Sequence, residues 1–333
     1  MSPELTTSLI VMGLTVFAVL NSAAVVVLAE RKIAAFIQNR YGPNRVGPWG
    51  VLQPLADVAK LLLKEDLTPT QGNSFLHAMA PAIPLITAIM IIVAIPVGDG
   101  LVGADINVGV LYILAITSLS VYGVTLAGWA SNSKYSLLGG LRSAAQMLSY
   151  ELPMGIAIAS VVLFAGSLNI MDIVNAQAGW WNVFVNPIAC IIFVICAFAE
   201  ANRAPFDLVE AEQELVGGFH TEYSGMKFGM FFLAEYMHVV IGSMLITTFF
   251  FGGFHLPFAA YWLPEMNTTI KAILDISVFA IKTFFWVFVF IWVRWTLPRF
   301  RFDQLMKLGW SKLLPLGILN FIVMAIILFL TAS

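Results

Sequence analysis

The stretch WNVFVNPIACIIFVICAFA (residues 181–199) runs directly into EANRAPFDLVEAEQELVGGFHTE (residues 200–222). The first part is apolar and about as long as a helix that crosses a bilayer, roughly 20 residues. The second part holds six of the 19 acidic residues of the chain, namely Glu200, Asp207, Glu210, Glu212, Glu214 and Glu222. A charge near hydrocarbon costs at least ~2.5 kcal/mol, so this boundary indicates an aqueous cavity, a partner surface or a proton path.

The whole chain has the composition of a membrane protein. Of its 333 residues, 60% are hydrophobic and only 11% are charged, whereas soluble domains carry about 25% charged residues. Hydrocarbon offers backbone groups no hydrogen bonds, so long apolar runs predict helices rather than open strands. We therefore predict an all-α polytopic membrane protein, a single integral membrane domain over residues 1–333. Its eight predicted transmembrane helices are 8–29, 75–97, 108–130, 144–165, 181–199, 230–251, 272–295 and 313–330.

The basic residues predict the orientation. Fifteen of the 17 Lys and Arg residues fall in the connections after the first, third, fifth and seventh spans or within two residues of them, and short basic loops stay in the cytoplasm. Both termini are therefore predicted to be periplasmic, and residues 202–229 form a cytoplasmic acidic loop between spans five and six. The first span lacks a basic n-region and a small-residue cleavage site, so we expect it to be retained as an anchor.

The sequence offers no motif for a resident cofactor. Cys190 and Cys196 lie six residues apart in one predicted span, whereas iron–sulfur ligation needs several thiolates at close spacing. The four histidines form no pair repeated across two helices, and no glycine-rich nucleotide loop occurs. We expect this chain to hold no redox cofactor, no metal and no nucleotide, so that a partner must supply any electron chemistry.

Residues 51–65 predict an amphipathic interfacial helix. Gln53, Asp57, Lys60 and Lys64 recur at helical spacing, with leucines and alanines on the opposite side. A surface anchor is one explanation of this pattern. The alternative is a site for a polar head group beside an apolar slot, because Glu30, Arg31 and Lys32 stand where the first span ends.

The acidic run also predicts a helix. Asp207, Glu210 and Glu214 share one helical face, while Glu212 points elsewhere. Pro205 is a good helix start, and Gly217 with Gly218 a good end. A solvated helix that keeps the loop in water explains the run. It is equally consistent with a functional cluster, since acids on one face repel each other and their protonation then responds to nearby charge.

Among the few ionisable residues within or at the ends of the predicted spans, four are of particular interest: Glu151, Glu200, Glu235 and Lys282. The predicted topology places the three acids in one layer on the cytoplasmic side. Lys282 falls near the middle of the seventh span, where an ammonium group needs an acidic partner or a wet channel. Protonatable groups spread over several helices predict a proton relay.

Several longer strings now resemble a known family. They are ERKxxxxxQxRxGPNxVG (30–47), LQPLADVAKLLLKE (52–65), SYELP (149–153), AEANRAPFDLVEAEQELVGGFHTEY (199–223), FFLAEY (231–236) and LPRFRFDQLMKLGW (297–310). In order and content they resemble the family of H-type membrane-arm subunits of NADH:quinone oxidoreductase, respiratory complex I, which includes subunit one of the mitochondrial enzyme. The eight predicted spans and their orientation agree with the architecture of that family.

The resemblance implies a membrane subunit that forms the quinone-access tunnel at the junction with the peripheral arm and couples quinone reduction to proton translocation. Such a subunit is part of an enzyme but is not catalytic alone. The implied tunnel residues are Glu30, Arg31 and Asp57, with Arg40 in the adjoining loop. The implied coupling loop comprises Arg203, Asp207, Glu210, Glu212, Glu214 and Glu222. The implied proton path comprises Glu151, Glu200, Glu235 and Lys282.

The resemblance also implies the surroundings of the chain. Quinone is the substrate, and NADH, FMN and the iron–sulfur clusters are expected on partner subunits of the complex. The other expected partners are antiporter-like and small membrane subunits and the lipid bilayer, with no nucleic acid. The expected location is the bacterial inner membrane. Related hydrogenases and ferredoxin-linked enzymes use similar subunits, and a secondary transporter with Glu151, Glu235 and Lys282 as its coupling site is the alternative from another class. Against a transporter, the chain shows no internal repeat.

Overall fold

A computed structural model describes residues 3–207, 216–256 and 268–332 of the chain. Within these ranges the fold is all-helical, and no β-strand is present. The first half comprises α1 (Pro3–Ile37), α2 (Gln53–Leu63), α3 (Ser74–Met79), α4 (Ala82–Val93), α5 (Gly109–Ala130) and α6 (Lys134–Ala165). The second half comprises α7 (Ile170–Ala176), α8 (Asn182–Val185), α9 (Pro187–Glu200), α10 (Gly225–Phe250), α11 (Thr268–Thr296), α12 (Phe302–Leu308) and α13 (Leu314–Ala332).

Seven helical stretches of the described residues are long and apolar enough to cross a membrane. They are Ser8–Ile37, Ser74–Val93, Gly109–Ala130, Lys134–Ala165, Gly225–Phe250, Thr269–Thr296 and Phe302–Thr331. Each coincides with one of the eight predicted spans. The all-α membrane architecture predicted from composition is therefore confirmed, with seven spans of sufficient length.

The fifth predicted span, 181–199, differs from the prediction. It is divided into α8 and α9, and α9 has only 14 residues, which is about 21 Å of helix against a hydrocarbon core of about 30 Å. Pro187 explains the break, because proline disfavours helical geometry in the residue before it. Asn186 accordingly leaves the helix with φ −137°, and its side chain caps α9 by accepting from the amide of Ala189.

The core of the bundle lies between the central helices. Helix α6 packs against α5, α9 and α13, and α10 packs against α1, α4 and α11. Helix α10 is the most enclosed of the seven long stretches. Glu235 lies in the first half of this enclosed helix, and Glu200 is the last residue of α9.

The predicted amphipathic segment 51–65 forms α2, a helix with no buried residue. Its end lies against the start of α10, where Lys227 pairs with Asp66 at 2.9 Å and the Ser224 hydroxyl donates to the Glu65 carbonyl. Helix α10 begins at Gly225, so the connection predicted to end at 229 is shorter. The predicted helix between Pro205 and Gly217 falls mainly on residues 208–215, outside the described part of the chain.

Candidate functional site

Arg203 is the centre of a buried charged cluster. It follows α9 and is 4% exposed in its side chain. Its Nε lies 2.9 Å from Oε1 of Glu235, and its Nη1 lies 3.7 Å from Oε2 of Glu30. The guanidinium also stands 4.2 Å above the ring of Tyr236, a cation–π contact that adds to the ion pairs. One arginine thus contacts carboxylates that are 205 positions apart in the sequence.

Arg294 completes this Arg203 cluster. Its Nη1 donates to Oε1 of Glu30 at 2.5 Å, so Glu30 is held between two guanidinium groups. Two acids and two arginines balance in charge, which is how a buried ionic cluster avoids a large desolvation penalty. A small cavity between α1, α10 and α11 reaches the cluster, and we call it the Glu30 cavity. Its lining comprises Val26, Glu30, Arg203, Tyr236, Val239, Phe290, Ile291 and Arg294.

A second cavity lies on the other side of Glu235. Its volume is about 60 Å³. In such a cavity one water needs roughly 10 to 15 Å³. The protonatable side chains in its wall are Glu200, Glu235, His220 and His238. Most of the remaining wall is apolar, with Phe219, Phe228, Phe231 and Phe232 among its residues. We call it the acid cavity, and it has room for several waters between these four titratable side chains.

Glu151 lies beside this acid cavity rather than in its wall. It is on α6, which packs on α9, and its charge acts on Glu200 at the end of α9. The structure therefore brings together the three acids that the sequence analysis grouped, two of them around one cavity. His238 was not predicted, although it lies one helical turn after Glu235 on α10.

Gln146 fixes the point where α9 ends. This fully buried side chain donates from Nε2 to the carbonyls of Ala199 and Phe206, both at 2.8 Å, and to Oδ1 of Asn202 at 3.3 Å. It holds the chain on both sides of Arg203. Sequence analysis missed Gln146, Arg294 and Tyr236, because only their distant partners reveal what they do.

Two of the predicted tunnel residues form a pair. Arg31 near the end of α1 lies 2.6 Å from Asp57 on α2, and Gln53 donates to the same carboxylate. Arg40 is apart from them and contacts the side chain of Gln38 in an exposed position. Glu30 and Arg31 are consecutive, so the end of α1 contacts both the Arg203 cluster and α2.

The predicted loop is described only at its two ends. Asp207 is buried and accepts from Nη2 of Arg299 at 2.7 Å, which ties this loop to the segment after α11. Glu222 is exposed, and next to it Tyr223 stacks on His77 with 4.0 Å between the rings. Burial raises the pKa of the Tyr223 hydroxyl. Glu210, Glu212 and Glu214 lie outside the described residues.

Lys282 lies elsewhere in the bundle. It contacts the turn that follows α10, whereas Glu235 is near the start of α10, roughly 22 Å away along the helix. Among the described residues, no group of three or more His, Cys, Asp or Glu side chains could hold a metal ion. Cys190 and Cys196 are both buried free thiols.

Comparison with known proteins identifies the family. The NADH dehydrogenase family model matches residues 9–325. The chain is 58% identical over 322 residues to NADH-quinone oxidoreductase subunit 8 of Rhodothermus marinus, with 94% of each protein covered. It is also 58% identical to the H subunit of NADH-quinone oxidoreductase from Salinibacter ruber, covering 94% of this chain and 93% of that protein. The corresponding H subunit from Leptospira biflexa is 49% identical over 327 residues, with 92% and 90% covered. The chain therefore belongs to the NADH dehydrogenase family, among the H-type subunits of NADH-quinone oxidoreductase.

Proposed function

We propose that this chain forms the quinone-access tunnel of a proton-pumping NADH-quinone oxidoreductase and couples quinone reduction to proton translocation. Its family and its membrane-competent helices make it a membrane subunit of that oxidoreductase. In this proposal it works at the junction with the peripheral subunits. It carries out no electron transfer and is not catalytic alone.

One observation carries the proposal: Arg203 contacts Glu30 on one side and Glu235 on the other. Glu30 faces the small cavity between α1, α10 and α11, whereas Glu235 is in the wall of the acid cavity. A change in the charge of either carboxylate alters the interaction of Arg203 with the other, because the medium around buried charges screens them weakly. The Arg203 cluster is thus a physical link between a proposed quinone passage and a proposed proton path.

The quinone passage in this proposal follows the end of α1. Glu30, Arg31 and Asp57 line it, and Arg40 belongs to the adjoining loop. Helix α2 lies at the membrane interface, its apolar positions towards the hydrocarbon. Support comes from the Arg31–Asp57 pair, which fixes α2 against α1, and from the many exposed apolar side chains of α2 itself, such as Leu55 and Leu62.

The proton path in this proposal begins at the coupling loop and continues through the acid cavity. Quinone reduction consumes protons, and carboxylates that give them up leave negative charge behind. That charge attracts protons along Glu200, Glu151 and Glu235. A shift of one pKa unit corresponds to about 1.4 kcal/mol, so modest changes in field redistribute protons. The coupling loop of this proposal comprises Arg203, Asp207, Glu210, Glu212, Glu214 and Glu222.

The proposal includes the setting of the chain. Residues 1–333 form one integral domain with eight transmembrane helices, the shorter α9 being the core of the fifth. It lies in the bacterial inner membrane with both termini in the periplasm. NADH, FMN and iron–sulfur clusters reside on partner subunits, and quinone and lipid are the molecules that this chain contacts directly.

The test replaces Glu200 and Glu235 with glutamine, one at a time, in the assembled complex. We expect NADH-driven quinone reduction and proton pumping to fall, while NADH oxidation with an artificial acceptor is retained, since that reaction needs only the peripheral subunits. Glu65→Gln is the matched control, because Glu65 is exposed and its side chain lies outside both cavities.

Normal quinone reduction and pumping in both variants would refute the proposed path. Purification of the tagged chain tests the assignment separately. We expect it to bring down partners that carry iron–sulfur clusters, whereas a secondary transporter purifies as an active protein by itself.

A further inference from the structure

Lys282 is surrounded by backbone carbonyls. Its Nζ donates to the carbonyls of Phe251 at 2.7 Å, Gly253 at 3.0 Å and His255 at 2.5 Å. The ring of Trp181 lies 4.4 Å from the same nitrogen. We call these three carbonyls and this ring the Lys282 cage.

The geometry of the cage matches an ammonium ion. An ammonium group has three N–H donors, whereas a neutral amine has two, and here three carbonyls accept. The indole face adds a cation–π contact on another side. The carbonyls are those of residues just beyond α10, where the negative end of the helix dipole also favours a cation. The cage thus provides the partner that an intramembrane lysine requires.

The chain beyond α10 is shaped for this contact. Gly252 and Gly253 have φ values of +71° and +53°, a conformation that glycine adopts without strain. These two residues turn the backbone so that alternate carbonyls, of Phe251, Gly253 and His255, converge on one point. A Cβ added at Gly252 would lie 2.5 Å from Nε1 of Trp181, so the indole ring packs directly on the turn. The amide of Gly252 is held by Oε1 of Gln177.

The cage joins two helices that also form walls of the Glu30 cavity. Helix α10 supplies Tyr236 and Val239 to that cavity, and α11 supplies Phe290, Ile291 and Arg294. Lys282 connects α11 to the far end of α10. Its ammonium therefore links the middle of α11 to the turn after α10. Arg294 of the Arg203 cluster lies 12 residues further along α11, roughly 18 Å away along the helix.

We infer that Lys282 is a positioning residue, a fixed cation that caps α10 and sets the placement of α11 along it, rather than a carrier of protons. In this role it aligns Arg294 with Glu30 from a distance. The inference concerns Lys282 alone, and the Tm that tests it does not depend on the proposed function. The KM for quinone, the second measurement, does rest on that function.

The test compares Lys282→Met with Lys282→Arg in the assembled complex. Methionine keeps the length and removes the charge, so we expect a lower Tm and a KM for a short-chain quinone that rises several-fold. The number of protons pumped per NADH and the pH profile of turnover should stay at wild-type values. Arginine keeps a cation in the cage and should restore part of the Tm and of the KM.

Trp181→Phe is the second variant, in case Lys282→Met does not assemble. Phenylalanine keeps a ring with a weaker cation–π contact, so the same changes should appear in smaller degree. Unchanged Tm and KM in Lys282→Met, or in Trp181→Phe where the former cannot be isolated, would overturn the inference. So would a loss of protons per NADH at an unchanged KM, the signature of a proton carrier. If Glu200→Gln and Glu235→Gln keep normal quinone reduction and pumping while Lys282→Met lowers the Tm, the proposed function is refuted. The inference that Lys282 caps α10 then still stands.

Discussion

At the scale of single residues, Arg203 is the side chain on which the candidate site depends. Its planar fork reaches two carboxylates, and its face lies on the Tyr236 ring. Lysine offers one compact charge in place of that fork and cannot stack in the same way. The arrangement therefore depends on the shape of the guanidinium as well as on its charge.

We predict that Arg203→Lys lowers NADH-driven quinone reduction several-fold while the complex still assembles, because the charge is kept and the double contact is lost. Turnover with quinone and with an artificial acceptor, measured on the same preparation, checks this. Arg301→Lys serves as the control, since Arg301 is exposed. Equal activity of the two variants would show that the shape of Arg203 does not matter.

A substitution of Gln146 tests the hydrogen bonds that hold the chain on both sides of Arg203, without changing any charge. Gln146→Leu removes the amide group that donates to Ala199, Asn202 and Phe206. The carbonyl of Ala199 keeps the amide of Asn202 as a donor, whereas the carbonyl of Phe206 loses the donor from Gln146. An unsatisfied buried polar group costs about 1 to 3 kcal/mol, so we expect a lower Tm together with reduced quinone turnover. Thermal unfolding of the purified complex is the measurement. Gln71→Leu, at an exposed position, should leave both unchanged.

Several residues of the candidate site could be singled out from the sequence, but the contacts between them could not be predicted. Acids in apolar surroundings are costly, which is why Glu151, Glu200 and Glu235 could be singled out. Glu30 was singled out with Arg31 and Lys32 as a polar group at the end of the first span. Arg294 lies in the last turn of α11, beside a basic connection, so nothing in its own neighbourhood distinguishes it. Its role comes from packing α11 against α1, which no local pattern specifies. Gln146 is missed for the same reason.

At the scale of elements, helix α2 owes its position to small residues on α10. A Cβ added at Gly229 would lie 3.0 Å from a methyl group of Leu61, and one at Gly225 would lie 3.1 Å from the carbonyl of Lys64. The helix therefore sits directly on the start of α10. The Lys227–Asp66 pair and the Arg31–Asp57 pair fix its two sides.

We predict that Gly229→Leu displaces α2 and raises the KM for quinone, because the larger side chain occupies the place of Leu61. The proposed passage loses the Arg31–Asp57 alignment, while NADH oxidation with an artificial acceptor continues. Steady-state kinetics over a range of quinone concentrations checks this. Gly13→Leu is the control, since nothing lies within 4 Å of a Cβ at Gly13. An unaltered KM in Gly229→Leu would separate α2 from the quinone passage.

The helices themselves followed from sequence to the extent that hydrophobicity determines them. Apolar length located the seven long stretches within a few residues at most ends. The same criterion treated 181–199 as one span, because it does not register the effect of Pro187 on Asn186. The positive φ values of Gly252 and Gly253 were likewise invisible, since glycine is common in loops for many reasons.

At the scale of the whole molecule, the bundle gathers the ends of alternate helices. Glu30 lies late in α1, Arg203 just after α9, Arg294 late in α11 and Glu235 early in α10. Predicted topology put these positions on one side of the membrane, and the Arg203 cluster requires them at one end of the bundle. Buried ion pairs are expensive to break, by about 3 to 5 kcal/mol when one partner is lost, so the cluster also ties α1, α10 and α11 to the segment that follows α9.

The central claim is that the Glu30 cavity and the acid cavity communicate through Arg203. A double-mutant cycle with Glu30→Gln, Glu235→Gln and both together tests it most directly, with quinone turnover measured per assembled complex. We predict strong non-additivity: the double variant should be little worse than the more damaging single variant, with a coupling of about 1 kcal/mol or more, as expected for residues of one ionic network. If the two single losses simply multiply in the double variant, the cavities act independently and the account is contradicted.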